Sequence, residues 1–356
     1  MTLRGVRAAV GLALTAGVLT LPARADTREA LAAFKAGRYL EAAAEIQSVV
    51  DRSPGYAYGY FLLGHCMLKM GRVGDAELEF RRALRYDPAW AEYYLGLAMA
   101  SNASGNWPLT IRAADEGLAR AQDPRMRYEL LKLRGYASSS LRRWSDAIHD
   151  LEAAQRIRAE PWLLVFLGKA RFAAGAYAEA IVPLRQVLLI APDHPVVLRL
   201  LGECFLRLAA DEPDAVRKRL DYLRSLAYAQ RLASVTPGDL DAVHLVGRAA
   251  LGAGRLDQAE NVFRHVLAID PRQCYALANL GRTYMAAARW AEAEAYLRNA
   301  SACAPRLTAV YESLGELYLA LGKPQEAAAQ FRRIEEIEPT QAATEFPTTI
   351  PVFQPR

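Results

Sequence analysis

Apolar residues recur along this chain at helical spacing, and the pattern restarts at a fixed interval. Segments 78–88 and 262–271 both combine apolar and basic residues and both end in Asp-Pro. Proline ends a helix, because it has no amide hydrogen and forces the preceding residue out of helical geometry. Prolines 34 residues apart mark the interval: Pro54 and Pro88, then Pro237, Pro271, Pro305 and Pro339. The spacing predicts a repeating helical unit.

A second marker, a Leu-Gly or Val-Gly pair, stays in phase with the prolines. Its glycines are Gly64, Gly96, Gly168, Gly202, Gly247, Gly281 and Gly315. Further along the units come a turn glycine (Gly71, Gly175, Gly254, Gly322), a small residue (Ala76, Ala180, Ala259, Ala293, Ala327) and a bulky one (Phe80, Leu184, Phe263, Leu297, Phe331). Glycine within a helix lets a second helix approach closely, and glycine after a helix allows a left-handed cap. Each unit is therefore predicted to be two helices joined by a turn.

These positions together resemble the tetratricopeptide repeat, a helix-turn-helix unit of about 34 residues. The resemblance implies an all-α fold, a right-handed superhelical solenoid of about nine units, because a single hairpin cannot bury its apolar faces and neighbours must stack. The predicted units are 26–54, 57–88, 89–124, 128–159, 161–192, 195–237, 240–271, 274–305 and 308–339.

Three units depart from the pattern. The third, near 105–108, is expected to carry extra residues, and the fourth has Arg134 before its glycine and lacks a turn glycine. The sixth spans 45 residues from Pro192 to Pro237. We interpret its charged stretch 211–223 as part of a lengthened second helix starting near Pro213, which is a good first-turn residue. That stretch either has a role or is a tolerated insertion, since insertions in surface loops cost little.

The two ends of the chain do not follow the repeat. Arg4 and Arg7 precede an uncharged apolar run, 8–21, and the small-x-small triplet 23–25, which is the layout of a secretory signal peptide over 1–25. The run is shorter than the roughly 20 apolar residues of a spanning helix. We therefore expect an exported protein, periplasmic or secreted, of bacterial type, without an integral membrane segment in the mature chain. The proline-containing segment 340–356 is expected to be a disordered tail, or else a segment that docks.

Charge and composition limit the classes of partner that the chain is expected to bind. The chain is 53% hydrophobic and 23% charged, which suits a large helical core and not a disordered protein. Its net charge is +5, but three of the 44 basic residues lie in the leader, so the remainder exceeds the 39 acidic residues by only two. Without a Lys/Arg block, nucleic acid is not expected as a partner.

No catalytic constellation is present in the sequence. The five histidines are scattered without a metal-binding spacing, and no nucleophile elbow, phosphate-binding glycine loop or HExxH motif occurs. We expect no enzyme activity, no metal and no cofactor.

The four cysteines divide into two pairs. Cys66 and Cys204 each follow a mid-helix glycine by two residues and are expected to be buried thiols. Cys274 opens the first helix of the eighth unit and Cys303 lies near the end of the second, so the hairpin brings them towards each other. An oxidising compartment permits a disulfide there. Since bridging needs Cα atoms within about 7 Å, two free thiols remain the alternative.

A stripe along the first helix of each unit is the candidate binding site, because in the resembled family it lines the concave groove. Its members on this chain are Tyr58, Phe61, His65, Trp90, Tyr93, Lys132, Tyr136, Trp162, Lys169, Arg199, Glu203, His244, Arg248, Tyr275, Arg282, Glu312 and Glu316. The stripe is aromatic, then basic, then acidic, which suits an extended peptide with apolar and acidic side chains. Alternatively, the aromatics pack against adjacent helices and the cations are a solvated face.

The resemblance and this stripe together favour an exported adaptor or scaffold that binds a protein or peptide and assists the assembly of a cell-envelope complex. The alternative is a structural spacer in an envelope polysaccharide-secretion apparatus, for which the length of the solenoid matters and its groove does not.

Overall fold

The computed structural model describes residues 27–341, and every regular element in that range is an α-helix. The predicted leader 1–25 and the tail beyond Gln341 lie outside the described residues. Eighteen helices occupy the described range, which is the number contained in nine helix pairs. The prediction of an all-α repeat is confirmed. The chain divides after Ala176 into two compact units.

The described part of the first unit, residues 27–176, contains nine helices, and consecutive helices pack against each other. They are α1 (Arg28–Lys35), α2 (Tyr39–Arg52), α3 (Ala57–Lys69), α4 (Val73–Tyr86), α5 (Ala91–Ala103), α6 (Trp107–Arg120), α7 (Pro124–Ser140), α8 (Trp144–Ile157) and α9 (Pro161–Ala173).

The second unit contains nine further helices within the described range, again packed in chain order. They are α10 (Tyr177–Ile190), α11 (Pro195–Asp211), α12 (Ala215–Val235), α13 (Leu240–Gly252), α14 (Leu256–Ile269), α15 (Cys274–Ala286), α16 (Trp290–Cys303), α17 (Thr308–Ala320) and α18 (Pro324–Gln341).

The mid-helix glycines and the bulky residues of the repeat pack directly against each other. A Cβ atom on Gly64 would lie 2.8 Å from the ring of Phe80, which is fully buried. Three further pairs at the same sequence separation are equally close: Gly247 with Phe263, Gly281 with Leu297, and Gly315 with Phe331. The two sequence markers are therefore the two sides of one helix–helix contact.

The turn between paired helices uses a left-handed residue. Gly71 has φ +75°, and the next amide, that of Arg72, donates to the Met67 carbonyl at 2.9 Å, which is the 6→1 bond of a Schellman cap. Two non-glycine residues take the same place: Arg142, with φ 58°, in the fourth pair and Ala288, with φ 56°, in the eighth. The turn forms without glycine there, so tertiary packing overrides a local preference.

The unusual Arg134 of the fourth pair has a structural partner. In α7 it donates two hydrogen bonds, of 2.8 and 2.6 Å, to Asp150 of α8, and a third of 2.5 Å to Asp115 of α6. Asp150 is buried, and its carboxylate raises the pKa of the Arg134 guanidinium. An ion pair thus replaces an apolar contact and ties α6, α7 and α8 together.

The extra residues of the irregular pairs lengthen helices. In the third pair, α5 and α6 have 13 and 14 residues, as α3 and α4 do, so the expectation of extra residues near 105–108 is wrong. Those residues extend α7, which begins at Pro124 and has 17 residues. In the sixth pair α12 has 21 residues and begins just after Pro213, capped by the Asp214 side chain. The predicted lengthened helix is present.

The last described helix extends beyond the predicted end of the repeat. α18 continues through Pro339 to Gln341, where the sequence pattern placed its end at Pro339. Helix ends vary by one or two residues, so this difference leaves the architecture unchanged.

A hydroxyl network recurs where α14 and α16 meet the helix that follows each of them. Arg264 of α14 donates to the Tyr284 hydroxyl of α15 at 2.8 Å, and that hydroxyl donates to Glu260 at 3.0 Å. The same three groups recur 34 residues later as Arg298, Tyr318 and Glu294. Each network joins one repeat to the next and leaves every charged group with a partner.

Candidate functional site

The predicted stripe lies on helices that are apolar over most of their circumference. In α3 nine of the 13 residues are buried, because the first helix of a pair packs against its own second helix and also against the first helix of the next pair. A stripe chosen by helical spacing alone therefore contains both core and surface residues.

Four predicted binding residues belong to the core, which corrects the prediction for them. Phe61, His65, Tyr93 and Lys132 are between 1% and 6% exposed. The Phe61 ring lies 5.1 Å from Tyr93 and 5.9 Å from Phe80, so it fills the space between three helices. These side chains pack beneath the accessible residues and do not present a surface to a partner.

His65 is buried without a hydrogen-bond partner for either ring nitrogen among the described residues. Its ring meets Phe61 and Phe80 edge to face, at 4.5 and 5.1 Å. Burial, with a smaller contribution from Lys69, lowers the His65 pKa to about 3. The imidazole is therefore neutral at physiological pH and acts as a core side chain.

Two further aromatics of the first unit stay partly accessible beside this core. Tyr58 stacks on Phe61 at 5.7 Å, and burial raises its pKa to about 12. Trp90 stacks on Tyr93 at 6.2 Å and borders a cleft of about 280 Å³ with Arg120 and Met126. They form the accessible edge of a packed aromatic cluster.

A second aromatic row, on α6, α7 and α9, combines two predicted residues, Tyr136 and Trp162, with two that lie off the predicted stripe, Trp107 and Phe166. Ring centroids lie 5.6 Å apart for Trp107 and Tyr136, 5.4 Å for Tyr136 and Phe166, and 5.9 Å for Phe166 and Trp162. Trp107, Tyr136 and Phe166 are half-buried, and Trp162 is 37% exposed.

Two lysines accompany this row. Lys132, ion-paired with Glu129, lies 5.5 Å from the Trp162 ring centroid. The exposed Lys169 lies 5.8 Å from the Phe166 ring, and partial desolvation lowers its pKa. Lys132 is buried beneath the row, so we name the other side chains the aromatic–lysine surface: Trp107, Tyr136, Trp162, Phe166 and Lys169.

Sequence reasoning missed two members of the aromatic–lysine surface. Trp107 begins a second helix, and Phe166 stands between the stripe positions Trp162 and Lys169. They were missed because the prediction considered only residues at fixed repeat positions. The density of aromatics near 162–166 was the signal that could have found Phe166.

In the second unit the stripe forms ion pairs between successive first helices. Arg199 of α11 contacts Asp239, the N-cap of α13, at 2.5 Å, and Arg248 of α13 contacts Glu203 of α11 at 2.9 Å. These cations already have protein partners, which limits what they offer to another molecule.

The remaining stripe residues of the second unit differ in accessibility. His244 lies 3.1 Å from the Asn279 amide, and burial lowers its pKa to about 4, so it is neutral at physiological pH. Tyr275 and Arg282 on α15, and Glu312 and Glu316 on α17, are exposed.

The cysteines form one bridge and two buried thiols. A disulfide joins Cys274 at the start of α15 to Cys303 at the end of α16, with the Cα atoms 5.6 Å apart. Cys66 and Cys204 are free and buried, as predicted, and burial raises the pKa of each thiol to about 12. Such protonated thiols are poor nucleophiles.

The described range contains neither a metal-binding cluster nor a membrane span. Within 27–341, no three His, Cys, Asp or Glu side chains are placed to hold a metal ion. Within the same residues, no helix combines the length and hydrophobicity needed to cross a bilayer.

Comparison with known proteins identifies the repeat. One model described as tetratricopeptide repeat matches residues 33–100 and 250–314, and a second model of that description matches 308–341. No curated protein matches the chain. The chain therefore carries tetratricopeptide repeats near both ends of the described range, as the resemblance predicted.

Two solved structures share the fold. A tetratricopeptide repeat protein from Parabacteroides merdae is 15% identical, with a TM-score of 0.56 over 69% of this chain and 93% of the other. The C-terminal part of a TPR repeat-containing protein from Cytophaga hutchinsonii is 16% identical, with a TM-score of 0.55 over 71% of this chain and 99% of the other. At these identities the comparison shows the fold, a tetratricopeptide solenoid.

Proposed function

We propose that this tetratricopeptide-repeat chain is a non-catalytic scaffold that binds a segment of another protein on the aromatic–lysine surface. The observation that carries the proposal is the unbroken row of accessible rings on α6, α7 and α9 with Lys169 beside it. A contiguous row of partly exposed rings is a feature of surfaces that bind a partner.

The chemistry of the surface indicates the kind of segment. Large aromatic rings give much contact area when desolvated, and Trp and Tyr dominate the energetics of protein interfaces. Lys169 adds a positive charge at the edge of the row. The expected occupant is an extended peptide segment that carries apolar side chains and at least one carboxylate.

Export into the cell envelope is the second part of the proposal. The leader-like residues 1–25 support it, and so does the Cys274–Cys303 disulfide, because structural disulfides persist in oxidising compartments and are rare in the cytosol. In this setting the scaffold would assist the assembly of an envelope complex. Mass measurement of the protein purified from the envelope fraction should give a chain that begins at Asp26.

Affinity capture from envelope extracts, with mass spectrometry of the bound proteins, tests the binding surface. We expect the substitution Trp162→Ala to weaken binding of the partner by about thirtyfold, since an interface tryptophan is worth about 2 kcal/mol or more. Trp290→Ala is the matched control, because Trp290 is 36% exposed but lies outside the surface, on α16.

Equal recovery with both variants, each shown by circular dichroism to be folded, would contradict binding at this surface. That result, combined with loss of function on deletion of whole repeats, would favour the spacer of a polysaccharide-secretion apparatus.

A further inference from the structure

A cleft of about 400 Å³ opens in the second unit, at the pair of helices that the sequence lengthens. It is lined by Ile181 and Arg185 of α10, Phe205 of α11, and Arg224 and Tyr228 of α12. Phe205 and Tyr228 stack in parallel at 5.8 Å, and the Arg224 guanidinium lies 5.6 Å from the Phe205 ring. The cleft combines an aromatic floor with two arginines.

The cleft occupies the position of the repeated hydroxyl network. Alignment of α10 with α14 places Ile181 at the position of Glu260 and Arg185 at that of Arg264. The same alignment of α11 with α15 places Phe205 at the position of Tyr284. Tyr284 and Glu260 are the partners of Arg264 in the regular network.

At the cleft both partners of the arginine have been replaced by apolar side chains. Ile181 has no carboxylate and Phe205 has no hydroxyl, and Arg185 makes no ion pair or side-chain hydrogen bond within residues 27–341. Arg224 is held at 2.8 Å by Asp221, which lies in the extension of α12. The cleft therefore has the cation of the network and lacks its anion.

The rim of the cleft is cationic and apolar. Of the five basic side chains of α12, Arg224 lines the cleft, while Arg231 is paired with Asp193 at 2.9 Å. One turn from Arg185 on α10, Leu189 is 84% exposed, and one turn before Arg224 on α12, Leu220 is 44% exposed. A small inorganic anion would leave these apolar side chains in water, whereas a peptide would cover them.

We propose that this cleft binds an acidic segment of a partner protein, with a Glu or Asp carboxylate at the position that Glu260 occupies in the regular network, and an apolar side chain over the rim. A carboxylate there receives charge-assisted hydrogen bonds from Arg185, which are stronger than neutral ones. The site shares no residue with the aromatic–lysine surface and takes a partner independently of it.

Fluorescence anisotropy with the full chain tests the proposal. The probe is a labelled, end-blocked hexapeptide of alternating Glu and Leu, and its comparator is the Gln–Leu peptide of the same length. We expect the Glu–Leu peptide to bind about tenfold more tightly, since hydrogen bonds to charged groups contribute about 1.5–3 kcal/mol. Added salt should weaken its binding.

Two variants locate the binding at the cleft. Arg185→Gln removes the cation. The double substitution Ile181→Glu with Phe205→Tyr rebuilds the internal network, so that the chain's own Glu carboxylate pairs with Arg185 and occupies the proposed peptide carboxylate site. Each should weaken Glu–Leu binding by about tenfold or more. The rebuilt variant gains ion-pair and hydrogen-bond partners and is expected to stay folded. Arg264→Gln, at the regular network, is the matched control and should leave binding unchanged.

Unchanged binding in the rebuilt variant, or equal binding of the two peptides, would overturn the proposal. Competition with inorganic phosphate tests whether the cleft is instead a simple anion site. If phosphate displaces the Glu–Leu peptide, and a Glu–Ser peptide binds as tightly as Glu–Leu, the cleft is a simple anion site and the peptide proposal is wrong.

Discussion

At the scale of single residues, close contact decides which positions of the repeat are interchangeable. Gly64 and Gly74 are both helical glycines, but only Gly64 faces another side chain. A Cβ atom there would lie 2.8 Å from the buried Phe80 ring, whereas one on Gly74 would meet nothing within 4 Å. The two glycines therefore have different roles, and the difference comes from what each one contacts and not from helix propensity.

We predict that Gly64→Ala lowers the free energy of unfolding by up to about 2 kcal/mol. Overpacking against Phe80 costs about 1–3 kcal/mol and outweighs the gain of about 1 kcal/mol from removing a helical glycine. Gly74→Ala is the control and should stabilise by up to about 1 kcal/mol. Urea denaturation of the three proteins measures both effects, and stabilisation by Gly64→Ala would disprove the close contact.

The burial of His65 predicts a loss of stability in acid. Its folded-state pKa, about 3, lies below the ordinary value of 6.5, so the unfolded chain binds the proton first. Stability is therefore fully present above pH 6.5 and falls as the pH drops towards 3, by about 1.4 kcal/mol for each pKa unit of the difference.

Replacement of His65 by Leu, which fills similar space without a titrating group, should remove much of this dependence. Urea midpoints at pH 7 and pH 4.5 measure it. His244, whose pKa is about 4, contributes in the same direction and leaves part of the slope. An unaltered slope in His65→Leu would show that His65 is not buried as a neutral ring.

At the scale of helices, charged residues placed inside the repeat act as specific ties. Arg134 satisfies the buried Asp150 and also reaches Asp115, so it connects three consecutive helices. Removal of one partner of a buried ion pair leaves an uncompensated charge, which is more costly than the pair is stabilising.

We predict that Arg134→Met destabilises the protein by about 3–5 kcal/mol. The control Arg38→Met breaks an ion pair with Glu41 in which both side chains are more than half exposed, and should cost less than about 1 kcal/mol. Thermal unfolding by circular dichroism compares them. A similar small shift for both variants would mean that Asp150 is solvated.

The Cys274–Cys303 disulfide joins the start of α15 to the end of α16, at the end of the hairpin opposite its turn. Alkylation with iodoacetamide and intact mass should find no modified cysteine in the native protein, two in the unreduced protein in denaturant, and four after reduction in denaturant. Cys66 and Cys204 are the internal controls, because they are buried thiols. Four modified cysteines without reductant would exclude the bridge.

At the scale of the whole molecule, each repeat depends mainly on its neighbours, and stability is a sum of local terms. Packing follows chain order in each unit. A change at one hairpin is therefore expected to be felt in adjoining helices and to fade with distance along the chain.

Reduction of Cys274–Cys303 tests this locality. We expect faster amide hydrogen exchange in α15, α16 and their neighbours, with a cost of about 3–4 kcal/mol for a loop of this length, and little change in α1–α8. Uniform loss of protection across all described helices would show that the solenoid unfolds as one cooperative body.

The sequence by itself determined the helical repeat, its period and the residues at each helix–helix contact. Pairs such as Gly64 and Phe80 were visible as recurring letters because close packing admits few residue types there. The lengthened second helix near Pro213 and the buried thiols followed from local rules of the same kind. These features depend on neighbours within about one repeat.

Only the tertiary structure decided which stripe residues reach the surface and which groups lack partners. His65 and Lys169 each directly follow the mid-helix glycine, yet His65 is in the core and Lys169 is exposed, because burial depends on what the neighbouring helices place beside each position. The unpaired Arg185 likewise became evident only once its equivalents at Arg264 were seen with their partners. Periodicity specifies which face of a helix a residue lies on, whereas contacts between neighbouring repeats decide whether that residue is buried or accessible.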